Sequence, residues 1–215
     1  MPLSVCDIYF AYPNATQAIF EGFSADFPAG AITAVIGPNG CGKTTLAKIM
    51  LNILQPQKGR ILLDGEDISS MTLAEVGRNI GYVMQNPNQQ LFCVSVKEEV
   101  EYGLAQLNLS HEEIESRGAK YLKYFNIDQY RDELPWRLSH GEKQRLLLAA
   151  VLAMQPKYLL LDEPTTALDT SRKKMLGEYL KSICTDMSGG MIIISHDESF
   201  INAVCHNVVV LEGKT

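Results

Sequence analysis

The run Gly37-Pro38-Asn39-Gly40-Cys41-Gly42-Lys43-Thr44-Thr45 gathers the densest chemistry in the chain. Gly37, Gly42, Lys43 and Thr44 satisfy the spacing G-x-x-x-x-G-K-[ST], with an apolar run at 32–36 before it and a helical pattern from Leu46 after it. Glycines permit positive φ and close backbone approach, so several N–H groups can converge on one anion. A helix starting there adds its unpaired N–H groups and the positive end of its dipole. Lys43 then supplies a point charge for β- and γ-phosphates, and the Thr44 hydroxyl can sit on Mg²⁺. The chemistry implied is the binding of a nucleoside triphosphate.

A second cluster closes the apolar run Leu159-Leu160-Leu161 with Asp162-Glu163-Pro164. An acid at the C-terminal end of a buried parallel strand lies where open α/β sheets bind ligands. Asp162 is placed to help hold Mg²⁺, directly or through water. Strand alternation is expected to aim Glu163 away from Asp162, toward the γ-phosphate side, where a carboxylate can polarise the attacking water.

These groups need a scaffold. A length of 215 residues suits one large domain, and 46% hydrophobic with 20% charged side chains are the shares of an ordinary soluble globular protein. The longest apolar stretch, 146–154, is too short for a bilayer, and Met1-Pro2-Leu3-Ser4 lacks the features of a secretory signal. An intracellular chain is expected. Cys6, Cys41, Cys93, Cys184 and Cys205 show no C-x-x-C spacing, which argues against disulfides and a zinc site. A net charge of −6 argues against a nucleic-acid partner.

Residues 1–30 read as an antiparallel sheet, with β-prone runs around Val5, Ile8 and Phe10 and at Ala18-Ile19-Phe20, joined by a turn at Tyr12-Pro13-Asn14. Gln55-Pro56-Gln57-Lys58-Gly59 is a stop signal, 60–63 a strand and Asp64-Gly65 a hairpin turn. Further strands are expected at 80–84, 158–161, 191–194 and 208–211, and helices at 170–184 and 198–205. Capping boxes at Thr72, Ser95, Ser110 and Ser139 each place a glutamate three residues on. The uninterrupted helical character after Gln85 marks a helical sub-domain at about 86–154, inserted into a core formed by 1–84 and 155–215 of a single domain.

Taken together, residues 37–45, residues 159–164 and Leu138-Ser139-His140-Gly141-Glu142-Lys143-Gln144-Arg145 resemble the nucleotide-binding subunit of an ABC transporter. The third stretch, similar to the LSGGQ signature, is the specific one; the first two occur in many NTPases. The resemblance covers 12–211 and implies an α/β fold: a P-loop NTPase core with mixed central sheet, an antiparallel β sub-domain and the inserted helical sub-domain. It also implies an ATP hydrolase using ATP and Mg²⁺. Gln85 resembles the glutamine-loop residue, touching Mg²⁺ and the attacking water at the joint with the helical sub-domain. Ala167-Leu168-Asp169 resembles the D-loop, and His196 the switch histidine on the γ-phosphate. Tyr12 resembles the aromatic that stacks on adenine.

In that family the helix N-terminus at Ser139 and Gly141 faces the nucleotide of a second ABC ATPase subunit, so two cassettes close head to tail on ATP, with Asp169 at the joint. The mate can be identical, a paralogue or the other half of a fused chain, and an end at Thr215 is early for the family. Two residues depart from the family pattern. Glu142 stands for a glutamine, a frequent variant. His140 stands for a glycine and adds bulk beside an expected phosphate, so this face is expected to form a weaker or asymmetric site. Cys41 is expected to present an exposed thiol that Mg-ATP would protect from alkylation. Residues 82–92 and 96–104 resemble energy-coupling-factor importer ATPases, which drive uptake of vitamins, cobalt or nickel. This implies a peripheral place on the cytoplasmic face of the membrane, a transmembrane scaffold docked near Leu91, Phe92 and Val94, and a membrane substrate-binding protein. The alternative is a soluble ABC ATPase acting on DNA or ribosomes, against which stand the absence of a coiled-coil insertion between Gln85 and Leu138 and of a charged linker.

Overall fold

The computed structural model describes residues 2–13, 15–166 and 168–213. Leu3–Phe10 (β1) and Phe20–Phe27 (β2) pair antiparallel, with Leu3 opposite Phe27 and Phe10 opposite Phe20. Ile32–Ile36 (β3) leads through the glycine loop into Lys43–Met50 (α1). Lys58–Leu63 (β4) pairs with β1, and the Asp64-Gly65 turn folds the short Glu66–Asp67 (β5) back onto it. Leu73–Asn79 (α2) precedes Ile80–Val83 (β6). Val96–Leu104 (α3), His111–Tyr124 (α4) and His140–Ala153 (α5) follow, each packed on the other two. Tyr158–Asp162 (β7), Thr170–Asp186 (α6), Met191–Ile194 (β8), Glu198–Val204 (α7) and Asn207–Val210 (β9) come next in turn.

The strands sort into two sheets, β2-β1-β4-β5 and β6-β7-β8-β3-β9. The α/β class is as expected, and the expectation of a mixed central sheet is refined. Every pairing in the central sheet is parallel, and the antiparallel pairings are confined to the other sheet. Parallel strands covered on both faces need continuous apolar runs, and β7 and β8 are buried at every residue. Along β7, Leu159 and Leu161 enter a cluster with side chains of α3, α5 and α6, while Tyr158 and Leu160 enter one with β1, β2 and α1. Asp162 continues the face of Tyr158 and Leu160, the side on which α1 lies. Tyr158 also joins the two sheets: its buried hydroxyl accepts from Leu3 N and donates to Phe27 O, both at 3.1 Å.

Several boundaries differ from the sequence expectation. The second strand begins at Phe20 and runs to Phe27, beyond the expected 18–20, because pairing with β1 extends it past the local β-prone run. Lys58 and Gly59 belong to β4 rather than to a turn. The Ser95 cap is only half of the expected box: Ser95 accepts from Glu98 N at 3.1 Å, with no return bond. The buried Glu99 instead accepts from Phe92 N and Cys93 N, at 3.0 and 2.8 Å. Asn14 of the expected first turn, Ala167 of the D-loop stretch, and Met1 and Thr215 lie outside the described residues. Among the described residues no helix is long and apolar enough to cross a membrane.

Candidate nucleotide site

The C-terminal ends of the parallel strands gather the chemistry: the glycine loop follows β3, Gln85 follows β6, Asp162 ends β7 and His196 follows β8. Gly37 and Gly42 adopt φ of 153° and 106°. A Cβ at Gly37 would run into the Leu211 carbonyl and Cys41 Sγ, and one at Gly42 into Ile19 and the Phe20 ring, so only glycine fits either place. Cys41 corrects an expectation. The side chain is buried, 9% exposed, rather than an exposed thiol, with Sγ packed toward Gly37 at the edge of the cleft. Pro38, Asn39 and Gly40 stay open beside a cleft that Gln17 and Ile19 also line.

Lys43 Nζ folds across the loop and donates to Gly37 O at 2.8 Å and Pro38 O at 3.0 Å. Thr44 Oγ1 and the Tyr82 hydroxyl both donate to Asp162 Oδ2, at 3.4 and 3.2 Å. Burial pushes the Asp162 carboxyl above the usual carboxylate range, and those two bonds offset part of the rise. Burial likewise lifts the Tyr82 phenol, beside that carboxylate. Thr45 Oγ1 lies 3.2 Å from the Tyr12 hydroxyl, and the Tyr12 ring stands edge-on to Phe10 at 5.1 Å. Gln57 holds this arm in place by clasping Ala11 N and O, each at 3.0 Å.

Glu163 brings a second correction. It is not aimed by strand alternation: β7 ends at Asp162, and Glu163 turns out of the strand in the left-handed region at φ 50°. Its N–H donates to Ile194 O at 2.8 Å, and its carbonyl accepts from Thr166 N at 3.2 Å. The carboxylate is buried, and His196 Nδ1 sits astride it, 3.0 Å from Oε1 and 2.9 Å from Oε2. Only the Oε1 contact is well aligned, which leaves Oε2 buried without a hydrogen bond. The His196 side chain itself is 72% exposed and forms the rim.

Gln85 is exposed just past β6. The segment behind it is pinned by a residue that sequence reasoning missed: Gln90 accepts from Met84 N at 2.9 Å and donates to Tyr82 O at 2.8 Å. Ser139 and Glu142 form the expected capping box of α5, and Gly141 leaves open space beside it. Asp169 caps α6, accepting from Arg172 N at 2.9 Å. Among the described residues, Ser139, Gly141 and Asp169 make no hydrogen bond to the glycine loop. The intrachain site therefore assembles the loop, Tyr12, Asp162, Glu163 and His196, and leaves the signature-like helix start outside it.

The ABC transporter family profile matches residues 20–166. The chain is 37% identical over 212 residues to a protein of Methanocaldococcus jannaschii named energy-coupling factor transporter ATP-binding protein EcfA, covering 97% of this chain and 75% of that one. A protein of the same name from Methanothermobacter thermautotrophicus is 37% identical over 209 residues, covering 96% and 67%. Among solved structures, cbiO1 from Clostridium perfringens, described as part of the ABC transporter complex cbiONQ, superposes with a TM-score of 0.89 at 34% identity. That superposition covers 97% of this chain and 84% of the other.

Proposed function

Since this chain belongs to the ABC transporter family and is one of its ATPases, working with transmembrane components, we propose that it powers energy-coupling-factor-type uptake of a vitamin or metal ion. The likeness to energy-coupling factor ATPases supports that reading, as does the stretch 82–104. The observation that carries it is the convergence, at one end of the central sheet, of Lys43, Thr44, Asp162 and the Glu163–His196 pair. Lys43 would exchange its loop carbonyls for phosphate oxygens, and Tyr12 would offer its ring to adenine. Thr44 and Asp162 fit Mg²⁺, because a hydroxyl and a carboxylate are hard oxygen donors and leave room for water and phosphate ligands; Gln85 would join them. Bound there, Mg²⁺ neutralises charge on the β- and γ-phosphates. In this reading the Glu163 carboxylate orients the attacking water and His196, at the rim beside it, holds the γ-phosphate.

Each chain offers half a site. Ser139 and Gly141 stand apart from this chain's loop, so in this reading they meet the ATP of a second cassette, identical or paralogous, with Asp169 at the joint. The scaffold would dock at Phe92 and Val94, each 62% exposed, beside the Tyr102 ring that meets Phe92 edge-on at 4.8 Å. A protein so assembled sits peripherally on the cytoplasmic face of the membrane. Glu163→Gln tests the reading. It should keep ATP binding, accumulate an ATP-bound dimer in size-exclusion chromatography and lose about 10²- to 10⁴-fold in turnover. Normal phosphate release, or no association with ATP, Mg²⁺ and an equivalent mate present, would overturn it.

A further inference from the structure

The first turn of α5 holds separate segments of the chain through consecutive side chains. Glu142 closes the box on Ser139, its Oε2 accepting from Ser139 N at 2.8 Å. Lys143 Nζ donates to Asn88 Oδ1 at 2.8 Å, in the segment after Gln85. Gln144 Nε2 donates to the carbonyl of Pro164, the residue directly after Glu163. The Lys143 bond lies in solvent, but Gln144 is only 8% exposed. Glu163 leaves β7 in the left-handed region, held on one side by Ile194 O and closed on the other by Thr166 N. Gln144 grips the Pro164 carbonyl inside that turn, so the pose of the turn that carries Glu163 depends on where α5 stands.

We propose that Gln144 is a positioning residue that ties Glu163 to the N-terminus of α5. This rests on the reading that a second cassette's nucleotide docks at Ser139. Whatever settles on the start of α5 then moves or steadies Glu163 in the same chain, and the two ATP sites of a pair fire together. A buried carbonyl deprived of its donor must find another or shift. A displacement on the order of 1 Å at a reacting group is enough to cost about 10²-fold in rate.

The test uses the full chain with its mate. Gln144→Met keeps length and removes the donor; Gln144→Glu keeps shape and can donate only when protonated. Both should lower kcat by about 10- to 100-fold, leave KM for ATP within about twofold, and drop the Hill coefficient for ATP toward 1. Relative to the unsubstituted protein at each pH, Gln144→Glu should recover as pH falls from 8.5 to 6, and Gln144→Met should stay low throughout. Rates are taken per folded molecule, from urea and thermal scans at each pH, because a carboxylate at this buried position also costs stability until it is protonated. A role in folding alone would leave kcat per folded molecule unchanged in both variants. Wild-type kcat in Gln144→Met, or a flat relative profile in Gln144→Glu, overturns the inference. If Gln144→Met does not fold, the Gln144→Glu profile decides by itself. ATP-driven association of Glu163→Gln, run in parallel, separates the cases: its absence overturns the two-cassette reading, while its presence beside wild-type kcat in Gln144→Met overturns only the role of Gln144.

Discussion

Asp162 is a buried acid whose surroundings oppose its charge. Desolvation raises its carboxyl above the ordinary 3.8, with Glu163 adding to the rise against hydrogen bonds from Tyr82 and Thr44. A raised folded-state value contributes stability that is complete below the unfolded value and lost as pH rises through the folded one, so at neutral pH the ionised acid is a cost. Asp162→Asn keeps an acceptor for both hydroxyls and removes that charge. It should raise the Tm of the nucleotide-free protein at pH 7, and the difference should shrink as pH falls through the raised value. The same variant should lose the extra stabilisation that Mg-ATP gives by mass action. Thermal scans with and without Mg-ATP read both effects, and an unchanged or lower nucleotide-free Tm would contradict the first. The identity and place of Asp162 and Glu163 were legible, because three leucines ending in acids is a local signal. The aim of Glu163 was not. Its φ of 50° is imposed by Ile194 and Thr166, contacts that spacing within one strand cannot reveal. Cys41 misled for a related reason: an exposed-looking loop buries the side chain by packing it toward Gly37.

At the scale of elements, helix starts were the most readable feature. Complete capping boxes stand at Thr72, Ser110 and Ser139, since Ser or Thr with Glu three residues on suffices to satisfy two orphan donors. The Ser95 box stayed half-formed, and the residue after Glu98, the buried Glu99, is the one whose carboxylate ties the preceding loop at Phe92 and Cys93. At α5 the box has a pH signature. The Ser139 side chain holds the Glu142 carboxyl below its ordinary value, so this bond adds stability above the unfolded value and loses it as pH falls through the folded one. Ser139→Ala should cost about 1 kcal/mol at pH 7 by urea denaturation, and less once Glu142 is protonated. A penalty that does not shrink in acid would show that the box adds nothing beyond the serine cap. Residues acting across elements were not legible. Tyr82 reaches Asp162 because β6 lies beside β7 with Tyr82 opposite Leu160, and strand order is a non-local outcome that one sequence does not spell out. Gln57, Gln90 and Gln144 escaped for the same reason: glutamine gives no pattern, and each acts through a backbone group elsewhere in the chain.

For the molecule as a whole, the question is how the base end and the phosphate end of one nucleotide are kept in register. Tyr12 follows β1 of the antiparallel sheet, while the glycine loop follows β3 and the two acids end and follow β7 of the parallel sheet. Apolar packing between the sheets is non-directional, so it supplies adhesion but little orientation. Tyr158 supplies direction. It rises from β7, one pleat along from Leu160 and two from Asp162, and its hydroxyl bonds the first residue of β1 and the last of β2. Tyr158→Phe keeps the ring and strands both Leu3 N and Phe27 O in a dry place. It should lower stability by about 1–3 kcal/mol in urea denaturation, the usual consequence of leaving buried polar groups unpaired. Hydrogen exchange should localise the loss, with Leu3 and its strand neighbours exchanging faster and the amides of β8 unchanged. ATP affinity should fall with it, because Tyr12 then moves relative to Thr45, whereas the phosphate contacts of Lys43 stay intact. Full stability together with unaltered exchange at Leu3 would mean that apolar packing alone sets the angle between the sheets.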